Sequence, residues 1–115
     1  MRLRSQPPFD NALTLTLGIP VERINGPVLL VSGQDDTVWA SSYMTDQVVE
    51  RLRRHEFQHP VIHLSYEDAG HAIGRPHYRM FPVFGGTSRG NARARADHWE
   101  RMIEFLDENL AVASP

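Results

Sequence analysis

The alternation of apolar and polar positions divides the chain into a few short elements. Pro27-Val28-Leu29-Leu30-Val31 is a nearly continuous apolar run with two β-branched valines and no charge. Its length and flanks predict a strand covered on both faces, the kind found in parallel sheets. Ser32-Gly33 ends it. Further on, Met44, Val48, Val49 and Leu52 fall on one face at helical spacing. Ser41 or Ser42 is placed to cap that helix, and Asp46 near its start suits the positive end of the helix dipole. Arg51, Arg53, Arg54 and His55 crowd the opposite end, where positive charge is favoured. Pro60 closes the connection, and Val61-Ile62-His63-Leu64-Ser65-Tyr66 predicts a second strand. Strand, helix, strand is a βαβ unit, with parallel strands and a right-handed crossover.

The flanks are less regular. Pro7-Pro8 suggests an extended lead-in, and Ala12 to Leu17 alternates apolar residues with threonine, as a half-exposed strand would. Gly18-Ile19-Pro20 breaks that pattern, and residues 21–26 read as a helical turn or irregular linker. Residues 1–26 are thus an extended lead-in with a possible extra strand, and 27–111 the packed portion. From Glu67 to Gly90 the chain has no clear period and is rich in Gly, Pro, His and aromatic residues. A loop of that length in a compact domain is functional or disordered. Asn91 is predicted to cap a last helix, whose stripe of Trp99, Met102, Ile103, Leu106 and Leu110 is expected to pack on the sheet. The predicted fold class is α/β, a βαβ unit with parallel strands plus a C-terminal helix.

Length and composition narrow the classes of function. A chain of 115 residues is one domain at most, and 41% hydrophobic with 23% charged residues is ordinary for a soluble globular protein. A net charge of -2 gives no electrostatic case for nucleic acid or an anionic membrane. The lack of cysteine excludes disulfides, thiolate metal sites and a cysteine nucleophile. No apolar run approaches the length of a membrane span, and residues 1–8 lack a signal-peptide core. The expectation is a cytoplasmic protein with neither membrane nor nucleic-acid partner.

The candidate chemistry sits just beyond the two strands. Gly33-Gln34-Asp35-Asp36 follows the first, and Asp68-Ala69-Gly70-His71 follows the second. Two aspartates after a strand also serve as turn formers and helix caps. In open α/β sheets, however, catalytic groups gather at the carboxyl ends of the strands. Adjacent strands lie about 5 Å apart, so the two loops can bring Asp36 to one ring nitrogen of His71. A carboxylate there fixes the imidazole tautomer and stabilises the imidazolium, as in a nucleophile–His–acid triad.

These residues carry a resemblance. Gly33-Gln34-Asp35-Asp36 and Ala69-Gly70-His71 resemble the acid and histidine motifs of the α/β-hydrolase fold. With Ile24-Asn25-Gly26-Pro27, Trp39, Glu50-Arg51-Leu52, Gly85-Gly86-Thr87 and the Trp99-containing helix, residues 19–110 look like the C-terminal domain shared by acyl-CoA thioesterases and bile acid-CoA:amino acid N-acyltransferases. The resemblance implies a partial α/β-hydrolase fold. It implies Asp36 as the acid, His71 as the base and a structural role for Asp35. It also implies an acyl-CoA or other acyl ester as substrate, with no cofactor. In that fold the order is nucleophile, acid, histidine, with the nucleophile on an upstream strand-to-helix turn. Here the serines before Asp36 are Ser5 and Ser32, and neither lies on such a turn. The chain therefore looks like the C-terminal fragment of a serine hydrolase, supplying the acid and histidine of a triad whose nucleophile is absent. The alternative is a non-catalytic binding or assembly module derived from a hydrolase. Exposed strand edges predict self-association in either case.

Other constellations argue for less. Gly86-Thr87-Ser88-Arg89-Gly90 spells Gly-x-Ser-x-Gly, but it follows the histidine and Pro82 interrupts the segment feeding it. His55, His59 and His63 recur every four residues, as metal ligands on one helix would, but Pro60 breaks that helix and no metal is expected. Arg89, Arg93 and Arg95 could touch phosphates, including those of coenzyme A, but a solvated helix face is the favoured reading.

Overall fold

A computed structural model describes residues 18–74 and 84–110. After a short 3-10 turn at Val21–Arg23, the order is strand β1 (Val28–Gly33), helix α1 (Ser41–Arg54), strand β2 (Val61–Tyr66) and helix α2 (Ser88–Leu110). The two strands pair in parallel, with Val28 opposite Val61 and Gly33 opposite Tyr66. The fold class is α/β, as the patterning predicts. The proposed strand at Ala12 to Leu17 lies outside the described residues, as does Pro82.

Both helices pack on the sheet, whose strands are mostly half-buried with Ile62 still exposed, a setting that suits the charge-free β1. Along β2, side chains alternate. His63 and Ser65 make their hydrogen bonds on the α1 side, while Tyr66 meets α2. The core on the α2 side is small: Ala69, Ile73 and Ala94 are buried, with Val31 and Tyr66 packed against them. Leu52, the last apolar position of the α1 stripe, is also fully buried, whereas Met44 at the other end of that stripe is exposed.

Polar ties set the helices against the sheet. The Arg51 guanidinium grips both oxygens of Glu22, with Nε 2.6 Å from Oε2 and Nη2 2.8 Å from Oε1. These bonds fasten α1 to the 3-10 turn and hold the Glu22 carboxyl down to about 2. The Tyr66 hydroxyl donates to Asp97 Oδ2 at 2.6 Å, and Arg101 Nε donates to the same oxygen at 2.9 Å. Burial and the Asp97 carboxylate push the Tyr66 hydroxyl above its ordinary value.

Three sequence expectations are corrected. Neither Ser41 nor Ser42 caps α1: the capping position is Ala40, without a side-chain bond. The Ser41 hydroxyl instead donates to the Gly33 carbonyl at 3.3 Å, and that of Ser42 bonds Ser65 at 3.1 Å. Asn91 does not cap α2, which begins a turn earlier. Thr87 does so, its Oγ1 accepting the Gly90 N–H at 2.9 Å. Nor is the apolar stripe of α2 covered. Its buried residues are Gly90, Asn91, Ala94 and His98, while Trp99, Ile103, Leu106 and Leu110 stand 38% to 69% exposed. The reason is length. A helix of 23 residues runs about 35 Å. A strand of 6 residues runs about 20 Å, so α2 overshoots the sheet it packs on.

Candidate active site

The loops leaving β1 and β2 are stitched together beyond the sheet. Gln34 N–H extends the ladder to the Tyr66 carbonyl at 2.9 Å, and Asp35 N–H donates to the Ala69 carbonyl at 2.9 Å. The Phe84–Thr87 segment then lies across both loops, through antiparallel bridges from Asp36 to Gly85 and from Ala69 to Gly86. The Asp35 carboxylate accepts the Gly86 N–H at 2.8 Å. Gly85 and Gly86 have φ of +94° and +79°, the left-handed region where a side chain is strained. A Cβ on Gly85 would strike the Asp35 carbonyl. The Gly-Gly pair is thus what lets this segment close on the aspartate loop.

That closure brings Asp36 and His71 together. Asp36 Oδ1 accepts the backbone N–H of Val38 at 2.9 Å and of Trp39 at 3.2 Å, an Asx-type turn that aims the carboxylate. Its other oxygen lies 3.1 Å from His71 Nδ1. The Asp36 side chain is 2% exposed and that of His71 34%. Burial pushes the Asp36 carboxyl up, but the polar groups around it, the nearby Ser41 hydroxyl, His71 and the backbone N–H groups of Val38 and Trp39, outweigh it and hold the group below its ordinary value. An ionised carboxylate only accepts, so Nδ1 donates, and in the neutral imidazole Nε2 keeps its lone pair. Among the described residues Nε2 has no hydrogen-bond partner. The Trp39 ring meets the imidazole edge-on at a centroid distance of 5.1 Å, and Phe84 lies tilted at 6.5 Å. The His71 N–H is anchored on the Phe84 carbonyl at 3.0 Å. An oriented imidazole with a bare Nε2, backed by a shielded carboxylate, can take a proton from a hydroxyl brought to it.

The remaining candidates fall elsewhere. Ser88 is the exposed first residue of α2, and among the described residues no strand runs into it. His55, His59 and His63 go to three different neighbours: Glu22 at 4.0 Å, the Phe57 ring at 5.3 Å, and Ser32 with Asp46. Arg89 and Arg93 are exposed, while Arg95 is half-buried. The Arg95 Nη1 atom is buried without a hydrogen-bond partner among the described residues.

One polar row was not anticipated. Ser32 Oγ lies 2.8 Å from His63 Nε2, and His63 Nδ1 lies 3.5 Å from Asp46 Oδ1. These are triad residue types in triad order, but Ser32 is 2% exposed and no substrate carbonyl can reach it. The row satisfies polar groups between α1 and the sheet. In sequence its one signal is polar residues at alternate strand positions, and only the pairing register shows that they meet.

Comparison with known proteins agrees with this architecture. The family model described as BAAT / acyl-CoA thioester hydrolase C terminal matches residues 5–112. The chain belongs to that family. It is 33% identical over 103 residues to the peroxisomal succinyl-coenzyme A thioesterase of Mus musculus, an alignment covering 80% of this chain and 24% of that protein. It is 33% identical over 107 residues to the mitochondrial acyl-coenzyme A thioesterase 2 of Mus musculus, covering 84% and 23%. To acyl-coenzyme A thioesterase 1 of Homo sapiens it is 30% identical over 103 residues, covering 80% and 24%. The chain therefore spans about a quarter of the length of these relatives. Two are named for peroxisomes and mitochondria, so family membership carries no single compartment. Among the described residues no helix is long and apolar enough to cross a membrane.

Proposed function

We propose that this domain supplies the acid, Asp36, and the general base, His71, of an acyl-CoA thioesterase or acyltransferase triad whose serine lies outside these residues. The observation that carries the reading is the 3.1 Å contact between Asp36 Oδ2 and His71 Nδ1, which leaves Nε2 without a hydrogen-bond partner among the described residues. Family membership supplies the thioester. In the first half-reaction, His71 Nε2 takes the proton of the serine hydroxyl as its oxygen attacks the thioester carbonyl. Asp36 stabilises the imidazolium so formed. The C–S bond then breaks, and Nε2 returns the proton to the departing coenzyme A thiolate. In the second half, water or an amine attacks the acyl-serine ester and His71 takes its proton, then hands it to the serine oxygen.

A specific observation favours a second reading, a non-catalytic assembly module. The exposed α2 stripe offers an apolar surface beside a two-stranded sheet. The size of the native polypeptide in cells separates the two, since a much larger product fits the enzyme and one of this length fits the module. The enzymatic test of the first reading is turnover of short and long acyl-CoA by the isolated chain, by His71→Ala and by Ser88→Ala. Loss of the serine in a triad costs on the order of a millionfold in kcat, so all three should match a background protein. Robust activity abolished by Ser88→Ala would instead make Ser88 the nucleophile.

A further inference from the structure

Asn91 is 4% exposed, and both ends of its carboxamide are hydrogen-bonded. Oδ1 accepts the Gly70 N–H at 2.8 Å, and Nδ2 donates to the Gly85 carbonyl at 3.1 Å. One partner can only donate and the other only accept, so the amide orientation follows from its neighbours. Gly70 immediately precedes His71, and Gly85 immediately follows Phe84, whose carbonyl holds the His71 N–H at 3.0 Å. The same Phe84 carbonyl accepts the Thr37 N–H, next to Asp36, at 3.4 Å. A closed ring of bonds therefore runs from Asn91 through Gly70 and His71 to Phe84 and Gly85, and back to Asn91.

We propose that Asn91 is a positioning residue for His71, its buried carboxamide locking the two backbone segments that hold the imidazole on Asp36. The inference rests on His71 being the base, and it concerns what keeps that base in register. Few side chains can do this. Two separate atoms at the same reach must present an acceptor to Gly70 and a donor to Gly85, which an ionised Asp, a Leu and the single oxygen of a Ser cannot. Position 91 is set independently by the start of α2, where the Asn91 N–H bonds the Thr87 carbonyl at 2.8 Å and the Thr87 N–H bonds the Asp68 carbonyl at 2.9 Å. The helix thus acts as a fixed post from which Asn91 reaches the loops. Nothing polar in Asn91 faces the reacting atoms, so its effect passes through His71.

The test reads the tautomer of His71 from its imidazole nitrogen resonances in the 115-residue chain labelled with nitrogen-15 histidine. The wild type should show Nδ1 protonated and Nε2 bare, and Asp36→Ala should abolish that preference. A wild type without the preference would refute the acid–base pair itself, whatever Asn91 does. Given the preference, Asn91→Leu should release His71 to the mixed tautomers of an unconstrained histidine. Asn91→Asp keeps the acceptor but loses the donor to Gly85, and should weaken the preference partway. Ala96→Gly, an exposed change more than a turn beyond Asn91, should weaken α2 and leave the tautomer unchanged. A folded Asn91→Leu protein with the wild-type tautomer would overturn the inference. If Asn91→Leu does not fold, Asn91→Asp decides alone. A shift with Ala96→Gly as large as with Asn91→Asp would also overturn it, because Asn91 would then matter only through helix stability.

Discussion

Asp36 and His71 stand 35 residues apart in the chain and meet at 3.1 Å because each lies just past the end of one of two paired parallel strands. The carboxylate is the shielded partner and the imidazole the accessible one. Asp36 is held below its ordinary value in the folded state. A lowered carboxyl stabilises the fold above its unfolded value, and that stability is lost as pH falls through the folded value. Asp36→Asn should therefore lower the urea midpoint at neutral pH, and the gap to wild type should close below about pH 4. A gap unchanged on acidification would show that the charge contributes nothing.

A second acid-sensitive tie lies far from the site. Arg51 holds Glu22 down to about 2, against an ordinary 4.5. The sign is that of a depressed carboxyl, with stability present above about pH 4.5 and lost as pH falls toward 2. Glu22→Gln should be less stable than wild type at pH 7 and indistinguishable from it near pH 2. Urea titrations across that range check it.

How much of this could be seen in the residues alone depends on whether the information is local. The βαβ unit was legible because β1 is a charge-free run and α1 has a clear 3.6-residue stripe. The meeting of Asp36 with His71 was legible because strand ends are local features and the sheet supplies the rest. The role of Asn91 was not, because Thr87, Ser88 and Asn91 are all competent caps and only the packing shows which of them is buried. The row of Ser32, His63 and Asp46 escaped for a similar reason: no local pattern tells which alternate position of one strand faces which of the next. The α2 stripe misled because periodicity tells which face is apolar and not whether anything is long enough to cover it.

The Gly-Gly closure should be intolerant of side chains. Gly86 has φ +79°, and a Cβ there would lie 2.7 Å from the Asp68 carbonyl oxygen and from Gly70 N. Left-handed strain and overpacking together predict a loss of roughly 2 to 5 kcal/mol for Gly86→Ala. Gly26→Ala, with nothing within 4 Å of its Cβ, should change stability by less than about 0.5 kcal/mol. Equal effects in denaturant titrations would show that the loop does not need its glycines.

Self-association is expected of the chain alone. A two-stranded sheet is marginal by itself, and the α2 stripe leaves large apolar side chains in water. Sedimentation at high micromolar concentration should find dimers or larger species, shifted toward monomer by Leu106→Glu. A compact wild-type monomer under those conditions would count against the expectation.

The most direct test of the central claim puts these residues where a nucleophile is available. Residues 19–110 would replace the matching C-terminal portion of mouse acyl-coenzyme A thioesterase 1, to which the chain is 32% identical. Turnover of acyl-CoA by the fusion would then be measured with and without the two side chains. The account predicts an active fusion in which His71→Ala lowers kcat at least about a thousandfold and Asp36→Asn roughly ten-thousandfold, with KM little changed. Turnover that survives His71→Ala, or a folded fusion that binds acyl-CoA normally and turns none over, would contradict it.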